Sequence, residues 1–232
     1  VIPELSITRE EQDEFSYYSH KKAAEAIEKG LFKDEIVPIT LKDKKKGELI
    51  LDTDEIPRRD ISLEALAKLP AIFKKENGTI TAGSSSALCD AGSAVFVAGA
   101  EWARVNGLKP MAEIVSYAVT ATDPQHFPIA PVDAMRIALD KAGMTLEEME
   151  LIELNEAFAA QVIACHRKMP FDMEKLNVHG GAISLGHPIG ASGAKILTTL
   201  IYSLINQNKD IGMASACIGG GQGVAMVIRI IK

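Results

Sequence analysis

Five glycines and one histidine are crowded into residues 180–193, immediately before a helical pattern that begins near Ser192. Glycine loses more backbone entropy on folding than any other residue, so this density needs a structural reason. One reason is a loop whose backbone amides approach a ligand at the N-terminus of a helix. We therefore predict a binding loop in which His187 acts as a general base or a hydrogen-bond donor. The alternative is a structural histidine whose polar atoms are satisfied within the protein.

A second glycine-rich segment, residues 217–223, joins the two strands predicted at 211–217 and 224–231. A hairpin needs one or two glycines, whereas this segment contains four. The surplus predicts exposed amides at the turn, with Cys217 at the end of a strand and facing the same space. A buried cysteine that behaves as a small apolar residue is the alternative, and it suits Cys165 and Cys89 better.

A polar pair, Asn155 and Glu156, follows the short apolar run 151–154. α/β folds place binding groups where a strand is followed by a helix, and we predict a helix over 156–168. Taken alone, helix capping by Asn155 explains the pair equally well. The three segments together supply a histidine, a cysteine, an asparagine and free amides. These are the functional groups that acyl transfer through a thioester requires.

The rest of the C-terminal part alternates between strands and helices, which is typical of an α/β sheet covered by helices. We predict a strand at 112–121, helices at 131–142 and 192–207, and a turn of helix capped by Thr145 and Glu148. A domain boundary is expected near Lys109 and Pro110.

The N-terminal part begins with a helix that starts at a capping box, Thr8 with Glu11, and ends at Gly30. Further expectations are strands at 35–41 and 48–52, a short helix from Ser62, a turn at Asn77, a loop of small residues at 81–87, a buried strand at 94–98 and a helix up to Gly107. The small-residue loop is expected to be approached closely by another group.

The composition argues against several classes of function. The net charge of −6 leaves no basic excess to neutralise phosphates, which argues against general nucleic-acid binding, and no apolar run is long enough to span a membrane. The lysine cluster at 42 and 44–46 is interpreted as a solvated hairpin turn. Three cysteines and no signal peptide indicate a reducing compartment, the cytoplasm or the mitochondrial matrix, and not secretion.

Three segments, 155–159, 186–193 and 217–223, resemble motifs of the thiolases in composition, order and spacing, and the similarity runs from Ser6 to the C-terminus. Within that family the chain is most similar to the acetyl-CoA acetyltransferases. The segment 127–131 is similar to mitochondrial acetoacetyl-CoA thiolases, whereas 217–222 is more similar to bacterial and degradative members.

The resemblance implies a thiolase-like layered α/β/α fold. It divides the chain into 1–86, the remainder of the loop domain, 87–110, the last strand and helix of the N-terminal domain, and 111–232, the C-terminal domain. Thiolases take the acyl group onto a cysteine in their N-terminal half, and no cysteine here matches it. We therefore expect a complementary N-terminal half, as a separate chain or a missing segment, and no activity of this chain alone.

The implied activity is acetyl-CoA C-acetyltransferase: Claisen condensation of two acetyl-CoA to acetoacetyl-CoA, or the reverse thiolysis. A 3-ketoacyl-CoA thiolase of fatty-acid β-oxidation is one alternative. A non-catalytic coenzyme A binding or scaffold subunit is another, and a truncated product without a stable fold is a third. Coenzyme A thioesters are the expected substrates, with no required cofactor or metal, and a homo-dimer or tetramer is the expected assembly. Residues 54–59 contain no tyrosine, so no potassium site is predicted.

By the same resemblance, His187 activates the nucleophilic cysteine and, with a water held by Asn155, forms one oxyanion hole. Cys217 is the acid and base for the α-proton, and the Gly219 amide belongs to a second oxyanion hole. The residues expected to contact coenzyme A or the thioester are Arg59, Ala82, Gly83, Ser86, Leu88, Phe127, Ala157 and Phe158. The helix that begins near Ser192 is expected to create a positive potential that keeps His187 neutral.

Overall fold

The computed structural model describes residues 3–43 and 47–232. Its α-helices and strands, in chain order, are α1 (Arg9–Glu28), β1 (Ile39–Asp43), β2 (Gly47–Leu51), α2 (Leu63–Ala67), α3 (Ala100–Val105), β3 (Ala112–Ala121), α4 (Ala130–Ala142), β4 (Leu151–Leu154), α5 (Ala159–Lys168), α6 (Ala182–Leu185), α7 (Ser192–Asn206), β5 (Ile211–Ile218) and β6 (Gln222–Ile230). Two short 3₁₀-helices occupy Ala82–Ser84 and Pro124–Ile129.

A four-stranded mixed sheet organises the C-terminal part, with strand order β3-β6-β5-β4. β4 and β5 run parallel, with Leu154 opposite Ser215, whereas β6 is antiparallel to both of its neighbours. Parallel neighbours have their carboxyl ends at the same edge of a sheet. The residues that follow β4 therefore lie next to the end of β5.

Helices cover both faces of this sheet, which confirms the layered α/β/α prediction. The α4 and α5 side of the core contains Met135, Val162 and Ile152, while the α7 side contains Leu200 and Leu151. Leu151 and Ile152 are consecutive residues of β4 on opposite faces, as the two-residue period of a strand requires. Both are buried, so β4 is covered on both sides.

The first helix carries an unusual buried polar face. Its N-terminus has the predicted capping box, in which the Glu11 amide donates to Thr8 and the Thr8 amide donates to Glu11. Further along, Ser16, Ser19 and His20 are all buried. A buried polar group is costly unless it is hydrogen-bonded, so this face must meet polar partners in the rest of the molecule.

Two predicted strands differ from the structure. Residues 94–98, predicted as a buried strand, are exposed and form no strand, because no strand among residues 3–43 and 47–232 pairs with them. The strand predicted at 35–41 begins only at Ile39. The Ile36 amide instead donates to the Phe32 carbonyl, and Pro38 has no N–H to donate to a ladder.

Two predicted helix starts also differ. The helix expected at 156 begins at Ala159, because the chain turns at Ala157, whose amide donates to the Asn155 carbonyl, and Ala157 and Phe158 pair with the segment 85–86. The Thr145 amide donates to Glu148 as expected, but the contact closes a turn and not a helix. The predicted helix end at Gly143 and the strand at 112–121 are confirmed.

The proposed lysine turn lies outside the described residues at positions 44–46, whereas Lys42 is exposed on the β1–β2 hairpin. Among the helices of the described ranges, none is both long and apolar enough to cross a membrane.

Candidate active site

Asn155 lies at the carboxyl end of β4, between the sheet and the first residues of α5. Its amide donates to the Ser215 carbonyl of β5 at 2.9 Å, which continues the parallel ladder by one residue. The residue is buried, and α5 starts four residues later, so helix capping does not explain its side chain. The side-chain Nδ2 instead lies 3.4 Å from Nε2 of His187.

His187 is held between two polar side chains. Its Nδ1 lies 2.5 Å from Oγ of Ser192, and this hydroxyl donates to the Pro188 carbonyl at 2.9 Å. Because the hydroxyl has only one proton and gives it to Pro188, the Nδ1 contact requires a proton on the imidazole nitrogen. The lone pair is then on Nε2, on the side of Asn155, where it is available as a base.

The environment of His187 favours the neutral imidazole. Burial lowers its pKa, and the nearby ammonium of Lys195 lowers it further. The direction agrees with the sequence-based expectation, and burial and Lys195 are its two identified causes. A neutral imidazole near pH 7 is the form that can accept a proton.

Cys217 occupies the penultimate position of β5, two residues beyond Ser215, to which Asn155 is bonded. The sheet register therefore brings Cys217 to the edge that carries Asn155. Burial raises the pKa of its thiol to about 11, so it rests protonated. Such a thiol is suited to donate a proton, or to accept one after it has been deprotonated.

The other two cysteines have different surroundings. Cys165 is fully buried in α5, donates to the Pro128 carbonyl, and has a pKa raised to about 12 by burial. Both properties agree with a packing role. Cys89 is half-buried and packs close to Gly186.

Glu156 ties three segments together beneath this site. Its carboxylate accepts from Ser19 of α1 at 2.8 Å, from the Asn177 side chain at 2.8 Å and from the Ile183 amide at 3.1 Å. Burial raises its pKa, and these donors oppose the rise. Asn177 also exchanges two 2.9 Å hydrogen bonds with the backbone of Leu154, which extends the β4 edge. The hydrogen bonds of Glu156 and Asn177 fix the backbone on either side of Asn155.

The glycines of 180–193 divide into two groups. A Cβ on Gly181 would lie 2.2 Å from the Glu156 carboxyl carbon, and one on Gly180 would lie 2.7 Å from the Ser19 carbonyl. These glycines are required by internal packing, contrary to the ligand-approach interpretation. Gly190 and Gly193, by contrast, have no atom within 4 Å of a Cβ in the described structure.

The hairpin between β5 and β6 shows the same division. Gly221 and Gly223 pack against the backbone around Thr122 and Ala130. At Gly219 and Gly220, a Cβ would meet no described atom within 4 Å. The structure therefore leaves room on the side-chain side of Gly219 and Gly220.

The small-residue segment runs alongside the site. The Ser86 amide donates to the Ala157 carbonyl at 3.1 Å, Ser85 bridges to Phe158, and the His187 amide donates to the Ala87 carbonyl at 2.7 Å. The structure therefore brings Ser86, Ala157, Phe158 and His187 together.

Other expected binding residues are not joined to this cluster by a described contact. Gly83 is approached by Leu66 and Leu69, so the close neighbour predicted for its loop is the protein's own core. Arg59 is exposed and faces Glu28 at 3.9 Å, and Ala82 and Leu88 are exposed. Phe127 lies in the 3₁₀-helix Pro124–Ile129, next to α5 and the β5–β6 hairpin.

Three residues that support the site could not be identified from the sequence. The sequence marks Ser192 only as the start of a helix and Glu156 only as the neighbour of Asn155, and it gives no signal for Lys195. Their partners are distant in sequence or depend on the turn at 186–191, so spacing alone gave no signal. The sequence does show that Glu156 is a charged residue between two predicted buried elements.

The chain matches the thiolase N-terminal domain model over residues 1–101 and the thiolase C-terminal domain model over 108–230. An acetyl-CoA acetyltransferase of Syntrophomonas wolfei is 51% identical over 227 residues, which cover 97% of this chain and 57% of that relative. The crystal structure of the Bacillus anthracis acetyl-CoA acetyltransferase matches with a TM-score of 0.96 and 44% identity, covering 99% of this chain and 58% of that one. Human mitochondrial 3-ketoacyl-CoA thiolase matches with a TM-score of 0.93 and 40% identity over 99% of this chain and 58% of that one. The chain thus spans a little over half the length of these relatives.

We predict that Gly181→Ala destabilises the chain by about 1–3 kcal/mol, because the new methyl group overlaps the buried Glu156 carboxylate. The matched control is Gly193→Ala in α7, which is open to solvent and where alanine favours the helix by about 0.5–1 kcal/mol. Chemical denaturation measures both free energies. Equal losses in the two variants would contradict the packing explanation.

We also predict that Ser192→Ala abolishes the preference of His187 for the Nδ1-protonated tautomer, because the acceptor of that proton is removed. The ¹⁵N chemical shifts of the imidazole report which nitrogen carries the proton. Ser203→Ala is the control, since Ser203 contacts Nδ1 of His179 at 3.0 Å and should change that histidine alone. Unchanged His187 shifts in Ser192→Ala would refute the tautomer assignment.

Proposed function

Because the chain belongs to the thiolase family, we propose that it carries the acid–base part of an acetyl-CoA C-acetyltransferase active site. The reaction is the condensation of two acetyl-CoA molecules to acetoacetyl-CoA and free coenzyme A, or its reversal by thiolysis. The observation that carries the proposal is the placement of His187, whose Nδ1 contacts Ser192 and whose Nε2 faces Asn155.

In the first half-reaction, a cysteine from the thiolase part outside these 232 residues takes the acetyl group. His187 accepts the thiol proton on Nε2, and the resulting thiolate attacks the thioester carbon and releases coenzyme A as the leaving group. The leaving thiolate takes the thiol proton of Cys217, which is left as a thiolate. His187 keeps its proton until the nucleophilic cysteine is released as a thiolate, which then takes that proton back. The lowered pKa of His187 supports this role, because the imidazole is neutral before the transfer.

In the second half-reaction, Cys217 removes the α-proton of the second acetyl-CoA as a thiolate, and the carbanion attacks the acetyl-cysteine. The carbon–carbon bond forms, and the nucleophilic cysteine leaves as a thiolate. The raised pKa of Cys217 means that its thiolate is a strong base once formed, and that its thiol returns the proton in thiolysis.

The proposal includes two oxyanion holes, each formed by hydrogen-bond donors. His187 Nε2, once protonated, and a water held by Asn155 are directed to the enolate oxygen of the second acetyl-CoA. The amide of Gly219 is proposed to donate to the oxygen of the acyl-cysteine intermediate. The position of Gly219 two residues after Cys217, with no described atom within 4 Å of a Cβ, supports the second assignment because a substrate can approach the backbone there.

The coenzyme A thioester is proposed to enter beside the segment 82–88. The Ser86–Ala157 and Ser85–Phe158 pairing supports this, because it places the small-residue segment next to the catalytic turn. Gly83, Ala82 and Leu88 are proposed to line the pantetheine channel, and Phe127 to lie near the thioester. Arg59 is proposed to face the nucleotide phosphates, for which a local cation is sufficient.

The partner is proposed to be the complementary N-terminal half of a thiolase. The segment 88–105 supports this, because Leu88 is 78% exposed, Phe96 is 76% exposed and Val97 is 66% exposed. An apolar surface of this kind marks a protein interface. A dimer or tetramer of the assembled enzyme, in the cytoplasm or mitochondrial matrix, completes the proposal.

We predict that Cys217→Ser lowers thiolase turnover by about 10²–10⁴-fold in the assembled enzyme, because a hydroxyl is a much weaker acid than a thiol. Acetyl loading of the partner cysteine should persist, since that step uses His187. Loading is measured by mass spectrometry after incubation with acetyl-CoA, and turnover by acetoacetyl-CoA cleavage.

The control for this prediction is Cys165→Ser, which replaces a buried packing thiol and should cost stability with little loss of rate. Loss of turnover to the same degree in both variants, accompanied by unfolding, would remove the support for Cys217. Coenzyme A binding without turnover in the wild-type assembly would favour a non-catalytic subunit.

A further inference from the structure

Lys195 is the charged side chain most closely connected to the catalytic turn, and the proposed reaction gives it no role. It lies in the first turn of α7, half-buried, and its Nζ donates to the Gly186 carbonyl at 3.1 Å. Gly186 immediately precedes His187. The ammonium is therefore bonded to the peptide group that begins the histidine turn.

Gly186 is a position that requires glycine. Its φ of +88° favours glycine, and a Cβ there would lie 2.5 Å from Cys89 Sγ and 2.7 Å from Ile56 Cδ1. On the next residue, the His187 amide is bonded to the Ala87 carbonyl at 2.7 Å. Lys195 thus supplies a further contact to this turn, a hydrogen bond to the Gly186 carbonyl.

We propose, on the premise that His187 is the base of the proposed reaction, that Lys195 is a positioning residue for it. By anchoring the Gly186 carbonyl, Lys195 fixes the turn that directs the imidazole towards Asn155. The hydrogen bond ties the turn to α7, the helix that also provides Ser192, the partner of Nδ1. Both supports of the imidazole therefore come from the first turn of one helix.

The charge of Lys195 gives this role a measurable signature. Burial and then the Lys195 ammonium are the two causes that lower the pKa of His187. The titratable groups that interact with Lys195 from the surrounding elements are Glu35 after α1, Asp54 after β2, Glu153 in β4 and Cys89 before residue 94.

These acidic neighbours do not cancel the ammonium near neutral pH. Burial raises the pKa of Glu153 well above its usual range and that of Glu35 to about 7, so part of the cluster is protonated. Burial also raises the pKa of the Asp54 carboxyl. The field of Lys195 at His187 therefore persists, and its removal must raise the histidine pKa.

The test measures the pKa of each histidine by NMR in the wild-type chain and in Lys195→Met and Lys195→Arg. In Lys195→Met the pKa of His187 should rise towards its ordinary value of 6.5, because one of its two lowering causes is gone. Lys195→Arg keeps a cation and a donor, and should keep the wild-type value. Lys141→Met is the matched control, since Lys141 also donates to a backbone carbonyl, that of Tyr117 at 3.0 Å.

His20 and His179 serve as internal references. Burial and Arg58 lower the pKa of His20 to about 4, and burial and Lys29 lower that of His179, so neither depends on Lys195. A rise at His187 alone supports the proposal. An unchanged His187 in Lys195→Met overturns it, and so does an equal rise at all three histidines, which would make Lys195 a general folding residue.

A kinetic arm separates this proposal from the proposed function. In the assembled enzyme, Lys195→Met should lower kcat about 10-fold or more with little change in KM, because misplacing a base affects the reaction and not binding. Lys195→Arg should recover most of the rate. If the wild-type assembly cleaves no acetoacetyl-CoA, the thiolase proposal fails, whereas the NMR measurement still decides whether Lys195 controls His187.

Discussion

The buried Glu156 carboxylate is the interaction on which the rest of the site depends. It receives three hydrogen bonds, from α1, from the Asn177 turn and from the first turn of α6, and it excludes any side chain at Gly181. A buried carboxyl is tolerated only with such partners, so the three segments must meet at this point. Asn155 precedes this residue directly and is placed by it. The buried Ser19 on the polar face of α1 is explained by the same requirement, because it is one of the donors.

A second set of contacts positions the His187 imidazole. Ser192 and Lys195, both in the first turn of α7, hold the imidazole and the peptide before it, while Asn155 faces the remaining nitrogen. Burial makes a neutral histidine and a protonated Cys217 thiol the resting forms. A base and an acid of this kind are what an acyl transfer with proton abstraction requires. The family, its two matched domain models and the identity to acetyl-CoA acetyltransferases agree with that chemistry.

Much of the C-terminal architecture could be predicted because its signals are local. Gly143 in the left-handed conformation ends α4, and the apolar run 151–154 is a strand buried on both faces. The exposed strip 94–98 could not be predicted, because an apolar strand pattern does not reveal whether a neighbouring strand is present. The late start of α5 depends on the pairing of residues 157–158 with 85–86, which are far away in sequence. The packed Gly181 depends on Glu156, whose partners are 21 to 137 residues away in sequence. Motif resemblance selected His187, Asn155 and Cys217, but the residues that orient them become visible only in three dimensions.

The central claim is that this chain supplies the acid–base half of a thiolase site and takes its acyl nucleophile from elsewhere. The most direct measurement is acetoacetyl-CoA cleavage by the 232-residue chain, alone and after mixing with a polypeptide carrying the N-terminal half of an acetyl-CoA acetyltransferase. The account predicts no turnover by the chain alone, turnover in the mixture, and none in a mixture made with His187→Ala. Cleavage by the chain alone would contradict the account and would assign the nucleophile to Cys89 or Cys165.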